Sequence, residues 1–569
     1  MASLLSRLSP VPTFPDYAGL YKVGTVDVEI PVSELDSPSP KPKGAADIHT
    51  VQFRIYYPAV PESDGKRIAW LPAPQRLHVA AYAQFLGIKP VVASLLSFLP
   101  RHLHYVTIPV HSGATLLSPP KEQSAQTGWP TVVFSHGLGG NRNTYSYLMC
   151  SLASHGVVVM CPEHRDGSAA VSLIRDPNNP NSRQVVPYVR IPHAQTNEVW
   201  EARDRQLRIR LWELGLGLEA LLAIDRGEER IVKANLNTST SGASLLQFAG
   251  MLDVQEPGKI IFAGHSFGAA TMVQLLKSSY YAGLPEVAAM REPLFVPKAD
   301  SAIRRQVTER SLSILLDMWC FPILSASSSA LYKLPLPTYS DTASAVGGAG
   351  VLAVESDSFF KWKEHLHAMA RILSPNPSEK VVSPAAFERP NSGVRLGEPN
   401  FFCALNSAHL SQSDFGILFP WLTKKVFGAD NPDRILHLNL RALLQFLRTN
   451  GVSVAPTAAA TNLEENDFNE AKQDLTDDSS DARVVDDDDD EAIFDRSESK
   501  GPVENWAWIN VVGMGAESSP SELEMLLPEH GDHASSSKGV QAEDGDADKK
   551  MESEIDPSLE LATGVTNES

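Results

Sequence analysis

Cysteine is scarce in this chain, with four residues among 569, at positions 150, 161, 320 and 403. Their wide spacing and apolar neighbours fit neither a zinc site nor a disulfide framework, and point to reduced, buried thiols in an intracellular protein. Long apolar runs are missing as well. No uncharged stretch approaches the roughly 18–20 residues that a membrane-spanning helix requires. The N-terminus, Met1 to Gly19, meets prolines early and lacks the apolar core of a secretory signal. A soluble, cytoplasmic protein is expected. Neither GxxxxGK[ST] nor GxGxxG occurs, which removes the common nucleotide-binding loops, and there is no internal repeat. No nucleic-acid partner is expected.

Acidic charge is abundant overall but unevenly placed. The net charge is −19, yet residues 456–569 carry 31 acidic and 7 basic side chains, against 37 acidic and 42 basic before them. The body is therefore mildly basic and compatible with an anionic membrane surface. The tail, with its run Asp486 to Asp490, is too polar to offset its ordering entropy and reads as largely disordered. Two apolar islands interrupt it, Trp506 to Val512 and Leu523 to Leu527. They are either incidental or short docking motifs for a protein partner or for the body.

The organisation that follows is a catalytic domain over 1–455 and an acidic tail over 456–569. Within the body, strand-like and helix-like runs alternate, the pattern of an α/β protein with a mostly parallel sheet and helices on both faces. Val26–Ile30 and Gln52–Tyr57 read as opening antiparallel strands. Thr131–Phe134, Val157–Met160, Lys259–Ala263 and Ser313–Leu316 read as central strands buried on both faces, with Val351–Val354 and Phe401–Leu405 as later ones. Asn197 to Ile224 predicts a long helix, apolar at Leu207, Leu211, Leu214, Leu218, Leu221 and Leu222. Segments 165–195, 228–257 and 374–398 read as surface insertions.

Gly264-His265-Ser266-Phe267-Gly268 lies between a strand and a helix. A serine on so tight a turn needs small residues two positions away on each side, and the turn lifts its hydroxyl above the sheet. Ser266 is the expected nucleophile, and the Phe267 N–H one oxyanion donor. Phe134-Ser135-His136-Gly137-Leu138-Gly139-Gly140 runs from a strand into a glycine-rich loop, which supplies the second donor from Leu138. His136 is expected to brace that loop. The acid follows the serine in this order of elements. Asp317 ends one strand and Glu355 and Asp357 end the next, and spacing alone leaves the choice open. His409 follows a strand and is the expected base. His365 and His367, in a charged helix, read as solvated surface.

Several runs together resemble the plasma and intracellular type II platelet-activating factor acetylhydrolases. They are Phe134 to Gly139, Leu152 to Gly156, Glu163-His164-Arg165-Asp166, Gly264 to Thr271, Leu316 to Pro322, and Ser407-Ala408-His409 with Asp414-Phe415. The resemblance implies an α/β-hydrolase fold and a calcium-independent serine esterase without metal or cofactor. It assigns the acid to Asp317 beside Ser266 and His409, with oxyanion N–H groups at Leu138 and Phe267. The implied substrates are phospholipids with an acetyl, short or oxidised sn-2 chain. It also implies work at a membrane surface, for which the apolar stretch Val79 to Leu103, flanked by Lys89, Arg101, His102 and His104, is suited. A helix packed on the sheet explains that stretch equally well. A general short-acyl esterase or thioesterase, and an idle hydrolase-like scaffold whose tail binds partners, are the alternatives. The complete set of nucleophile, base and acid argues against the scaffold.

Overall fold

The apolar runs form strands of one large sheet in a computed structural model that describes residues 11–98, 101–120, 128–194, 196–237, 239–240, 242–389, 395–420, 432–457, 490–497 and 501–515. The strands are β1 (Lys22–Pro31), β2 (Thr50–Ala59), β3 (His111–Ser112), β4 (Thr131–Ser135), β5 (Val158–Pro162), β8 (Ile261–His265), β9 (Ser313–Leu316), β10 (Val351–Ser356), β11 (Asn400–Ala404) and β12 (Trp506–Trp508). A separate hairpin pairs β6 (Val171–Asp176) with β7 (Asn179–Pro187). Across the large sheet the order is β12-β11-β10-β9-β8-β4-β5-β2-β1-β3. β2 is antiparallel to both neighbours, and the run from β5 to β11 is parallel. This succession is the α/β-hydrolase fold, extended by one short strand at each edge.

Every residue of β4, β5, β8 and β9 is buried, because helices cover both faces. On one face lie α4 (Asn197–Asp225) and α5 (Phe267–Tyr280), and on the other α3 (Ser146–Ser154) and α7 (Pro432–Thr449). Thr196 starts α4 by accepting the Val199 N–H on its hydroxyl. Ahead of β4 come two short helices, α1 (Gln75–Phe85) and α2 (Pro90–Leu96), and Phe85 of α1 covers the loop that leaves that strand. No helix among the described residues is long and apolar enough to cross a membrane.

Two sequence expectations are corrected. Helix α6 (Lys363–Ile372) is not solvated throughout: His365 is buried and accepts the Cys320 N–H on Nε2 at 3.2 Å, stacked on Trp362. The helical period sets His365 on one face with Leu366, Met369 and Ile372, and that face meets the core. His367, on the opposite side of the helix, is half-buried. Segment 165–195 is not wholly surface either, since Arg165, Asp166 and Ser168 to Val171 are buried beneath the β4 loop. Of the two tail islands, the first supplies β12, while Leu523 to Leu527 lies outside the described residues.

Candidate active site

Ser266 sits at the join of β8 and α5 with φ 56° and ψ −121°, a conformation that side chains disfavour and that the surroundings must impose. Two backbone bonds impose it: the Ser266 N–H donates to Leu316 O at 2.9 Å, and its carbonyl accepts the Trp319 N–H at 3.2 Å. Gly268 must lack a side chain, because a Cβ there would collide with the Ser135 carbonyl at the end of β4. Gly137 also approaches the serine, its would-be Cβ 3.1 Å from Cβ of Ser266. The glycine-rich loop therefore lies directly over the serine.

The parallel register brings the remaining groups to the same sheet end. Asp317 follows β9 at φ 40° and is fully buried. Its Oδ1 accepts the Ser356 N–H, and its Oδ2 lies 2.9 Å from Nδ1 of His409. The His409 ring stacks flat on Phe359 at 4.3 Å and lies 4.4 Å from the ring of His265, the residue before the serine. His265 itself is held by the Tyr145 hydroxyl at 2.8 Å from Nδ1. Burial, and then the neighbouring His409, hold its pKa well below the usual imidazole range, so it stays neutral. Donor atoms of His265, Asp317 and His409 fall within 4.8 Å of one another, as metal ligands would. Two of these donors already face each other in the His409–Asp317 pair, the arrangement a proton-transfer site needs.

Glu355, at the end of β10, is as buried as Asp317, and neither carboxyl oxygen has a hydrogen-bond partner. Burial, and then the Asp317 charge, push its carboxyl well above the ordinary range. Asp357 instead pairs with Lys361 at 2.8 Å on the surface. The structure thus brings Asp317 to His409 and leaves the two other sequence candidates apart.

Leu138 lies in the glycine-rich loop and Phe267 opens α5, whose positive dipole end faces the serine turn. An arginine absent from the sequence expectations contacts both segments. Arg210, fully buried on α4, donates through Nη1 to His136 O at 2.7 Å, through Nε to Asp166 at 2.8 Å and through Nη2 to Ser168 Oγ at 2.6 Å. Its guanidinium stands 4.5 Å from the centre of the Phe267 ring. Ser168 O in turn accepts the Gly139 N–H at 2.8 Å. Burial raises the Asp166 carboxyl, but Arg210, His164 and the Ser168 hydroxyl together outweigh it and hold it below the usual carboxylate range. His136 is pushed down to about 3 by burial and by Arg210, and its Nδ1 lies 2.9 Å from Gly137 O. The signal for Arg210 was present in the sequence: Arg203, Leu207, Arg210 and Leu214 share one helical face, so two arginines fall within the apolar stripe.

A family described as platelet-activating factor acetylhydrolase, isoform II, matches residues 8–467. The chain belongs to this family. It is 28% identical over 467 residues to a putative phospholipase A2 of Schizosaccharomyces pombe, covering 79% of this chain and 96% of that one. A platelet-activating factor acetylhydrolase of Cavia porcellus is 33% identical over 226 residues, covering 39% of this chain and 46% of the relative. That of Canis lupus familiaris is 26% identical over 333 residues, covering 58% and 60%. The chain spans about half the length of these two mammalian relatives. As a member of the platelet-activating factor acetylhydrolase family, the protein is a hydrolase of carboxylic esters, of the phospholipid and short-acyl class.

Proposed function

We propose that the protein hydrolyses the sn-2 acetyl, short or oxidised acyl ester of phospholipids, without calcium, through an acyl-enzyme on Ser266. The reading rests most on the His409–Asp317 pair set beside a serine of positive φ. Ser266 Oγ attacks the ester carbonyl carbon while its proton passes to His409 Nε2. Asp317 holds the ring through Nδ1 and stabilises the imidazolium. The carbonyl oxygen gathers charge between the Leu138 and Phe267 N–H groups. The carbon–oxygen bond to glycerol then breaks, and His409 returns the proton to the departing lysophospholipid. Water, deprotonated by the same imidazole, frees the acyl group as the acid. The four free thiols are buried, which suits a cytoplasmic setting.

The test is a panel of phospholipids differing only at sn-2, run beside p-nitrophenyl acetate, with a fluorophosphonate probe mapped by mass spectrometry. Preference for acetyl and oxidised chains over long ones, with the adduct on Ser266, is expected. Equal turnover of every ester favours a general short-acyl carboxylesterase or thioesterase instead. An adduct elsewhere rejects the nucleophile.

The membrane is proposed to meet the protein at α1 and α2. Val91 and Leu95 are 83% and 71% exposed, and Leu86, Val92, Phe98 and Tyr105 are exposed beside them. Leu99 and the side chains of Leu96, Arg101 and His102 lie outside the described residues. This patch adjoins the site, because the Phe85 ring covers Gly139 of the glycine-rich loop. Seating Val91 and Leu95 in lipid contributes on the order of 1–2 kcal/mol each. Val91→Asp with Leu95→Asp is therefore expected to lower hydrolysis of vesicle-borne substrate roughly tenfold or more. Hydrolysis of p-nitrophenyl acetate stays unchanged. An equal fall on both substrates counts against docking here.

A further inference from the structure

Among the described residues, four non-glycine positions adopt positive φ: Ser266, Asp317, Asn406 at 56° and Asn505 at 58°. The first two belong to the site just described. Asn406 lies three residues before His409. Asn505 lies 99 residues beyond Asn406, past the family match, which ends at residue 467. The two asparagines meet, the Asn406 Nδ2 donating to the Asn505 Oδ1 at 2.9 Å.

The segment around Asn505 is built onto the sheet edge. β12 pairs antiparallel with β11, Trp506 opposite Ala404 and Trp508 opposite Phe402. Trp506 and Phe494 stack on Phe402 at 5.4 and 5.5 Å, and the Trp506 Nε1 donates to Ile493 O at 2.9 Å. Asp490 takes a two-pronged bond from Arg441 of α7, and Gly513 donates to Val382 O at 2.8 Å. These contacts would equally serve a strand that merely caps an open edge. Two others act above the end of β11, in the loop that carries the histidine. The Leu405 N–H donates to Asn505 O at 2.9 Å, and the two side-chain amides join one residue further on.

We propose that residues 501–515, with 490–497 packed beneath them, latch the His409 loop, and that Asn505 is a positioning residue acting on His409 through Asn406. The proposal rests on the reading of His409 as the base. From inside, the loop is tied by Ser407, whose hydroxyl donates to Ala404 O and accepts the Asp357 N–H at 3.2 Å. Asn505 supplies the tie from outside. Without it the turn at Asn406 is free to relax from a conformation that its own backbone disfavours, and the imidazole moves with it.

The test uses the full chain and p-nitrophenyl acetate. Asn505→Gly keeps the positive φ accessible and removes the amide, whereas Asn505→Asp keeps the acceptor oxygen. Since a displacement of 1 Å at a reacting group costs up to about 100-fold, Asn505→Gly is expected to lower kcat roughly tenfold with KM unchanged. Asn505→Asp is expected to restore kcat. Wild-type kcat in Asn505→Gly overturns the latch, and equal loss in both variants overturns the role of the side chain. His409→Ala is the separate control. If it keeps full activity, the base assignment falls and the latch falls with it. If it is inactive while Asn505→Gly is normal, only the latch falls.

Discussion

Asp317→Asn is expected to lower kcat roughly 10⁴-fold, while Glu355→Gln leaves it nearly unchanged. The two carboxyls are equally buried, and burial and then the Asp317 charge push the Glu355 carboxyl well above its ordinary range. Hydrogen bonds separate the two. Asp317 accepts the Ser356 N–H and faces His409. Glu355 has no donor, and burial followed by the Asp317 charge keeps its proton in place. Glutamine copies a neutral glutamic acid in shape and charge. Asparagine at 317 cannot stabilise the imidazolium, and its amide N–H, donating to Nδ1, holds the ring in the wrong tautomer. Steady-state kinetics of the two variants decide the matter, with circular dichroism to establish folding. A crippled Glu355→Gln beside an active Asp317→Asn would reverse the assignment.

Arg210→Lys is expected to lower kcat roughly 10²- to 10³-fold and to destabilise the fold as well. The guanidinium binds three groups at once, and one of them, the His136 carbonyl, fixes the strand end from which the glycine-rich loop departs. It also stands 4.5 Å from the ring of Phe267, the residue whose N–H is a proposed oxyanion donor. A lysine ammonium lacks the planar fork and reaches at most part of this set. Leaving Asp166 buried and poorly paired costs about 3–5 kcal/mol, which thermal or urea unfolding measures directly. The kinetic effect falls on kcat, because the oxyanion hole acts on charge that forms only in the transition state. An Arg210→Lys enzyme with unchanged kcat would reduce the residue to a packing role.

Legibility differed by the kind of force involved. Central strands were visible because burial on both faces requires unbroken apolar runs, as in Val157 to Met160. The serine turn was visible because tight geometry admits only glycine at 264 and 268. Asp317 and Glu355 could not be separated by spacing, since both end adjacent parallel strands and differ only in the donors that reach them. Arg210 was hidden within a helix read for its leucines. His365 was misjudged because its lysine and glutamate neighbours mask the single face that the helix buries.

Local chemistry along the chain determined the order of strands and helices, the sharp turn bearing Ser266 and the glycine-rich loop, because each depends on neighbouring side chains and backbone sterics. Only the tertiary structure shows the bond that sets Asp317 against the imidazole, the arginine that contacts both His136 and Phe267, and the return of Trp506 to Trp508 to the sheet edge. Each of these joins residues far apart in sequence. Their energies come from burial and hydrogen-bond partners, which exist only once the sheet has assembled.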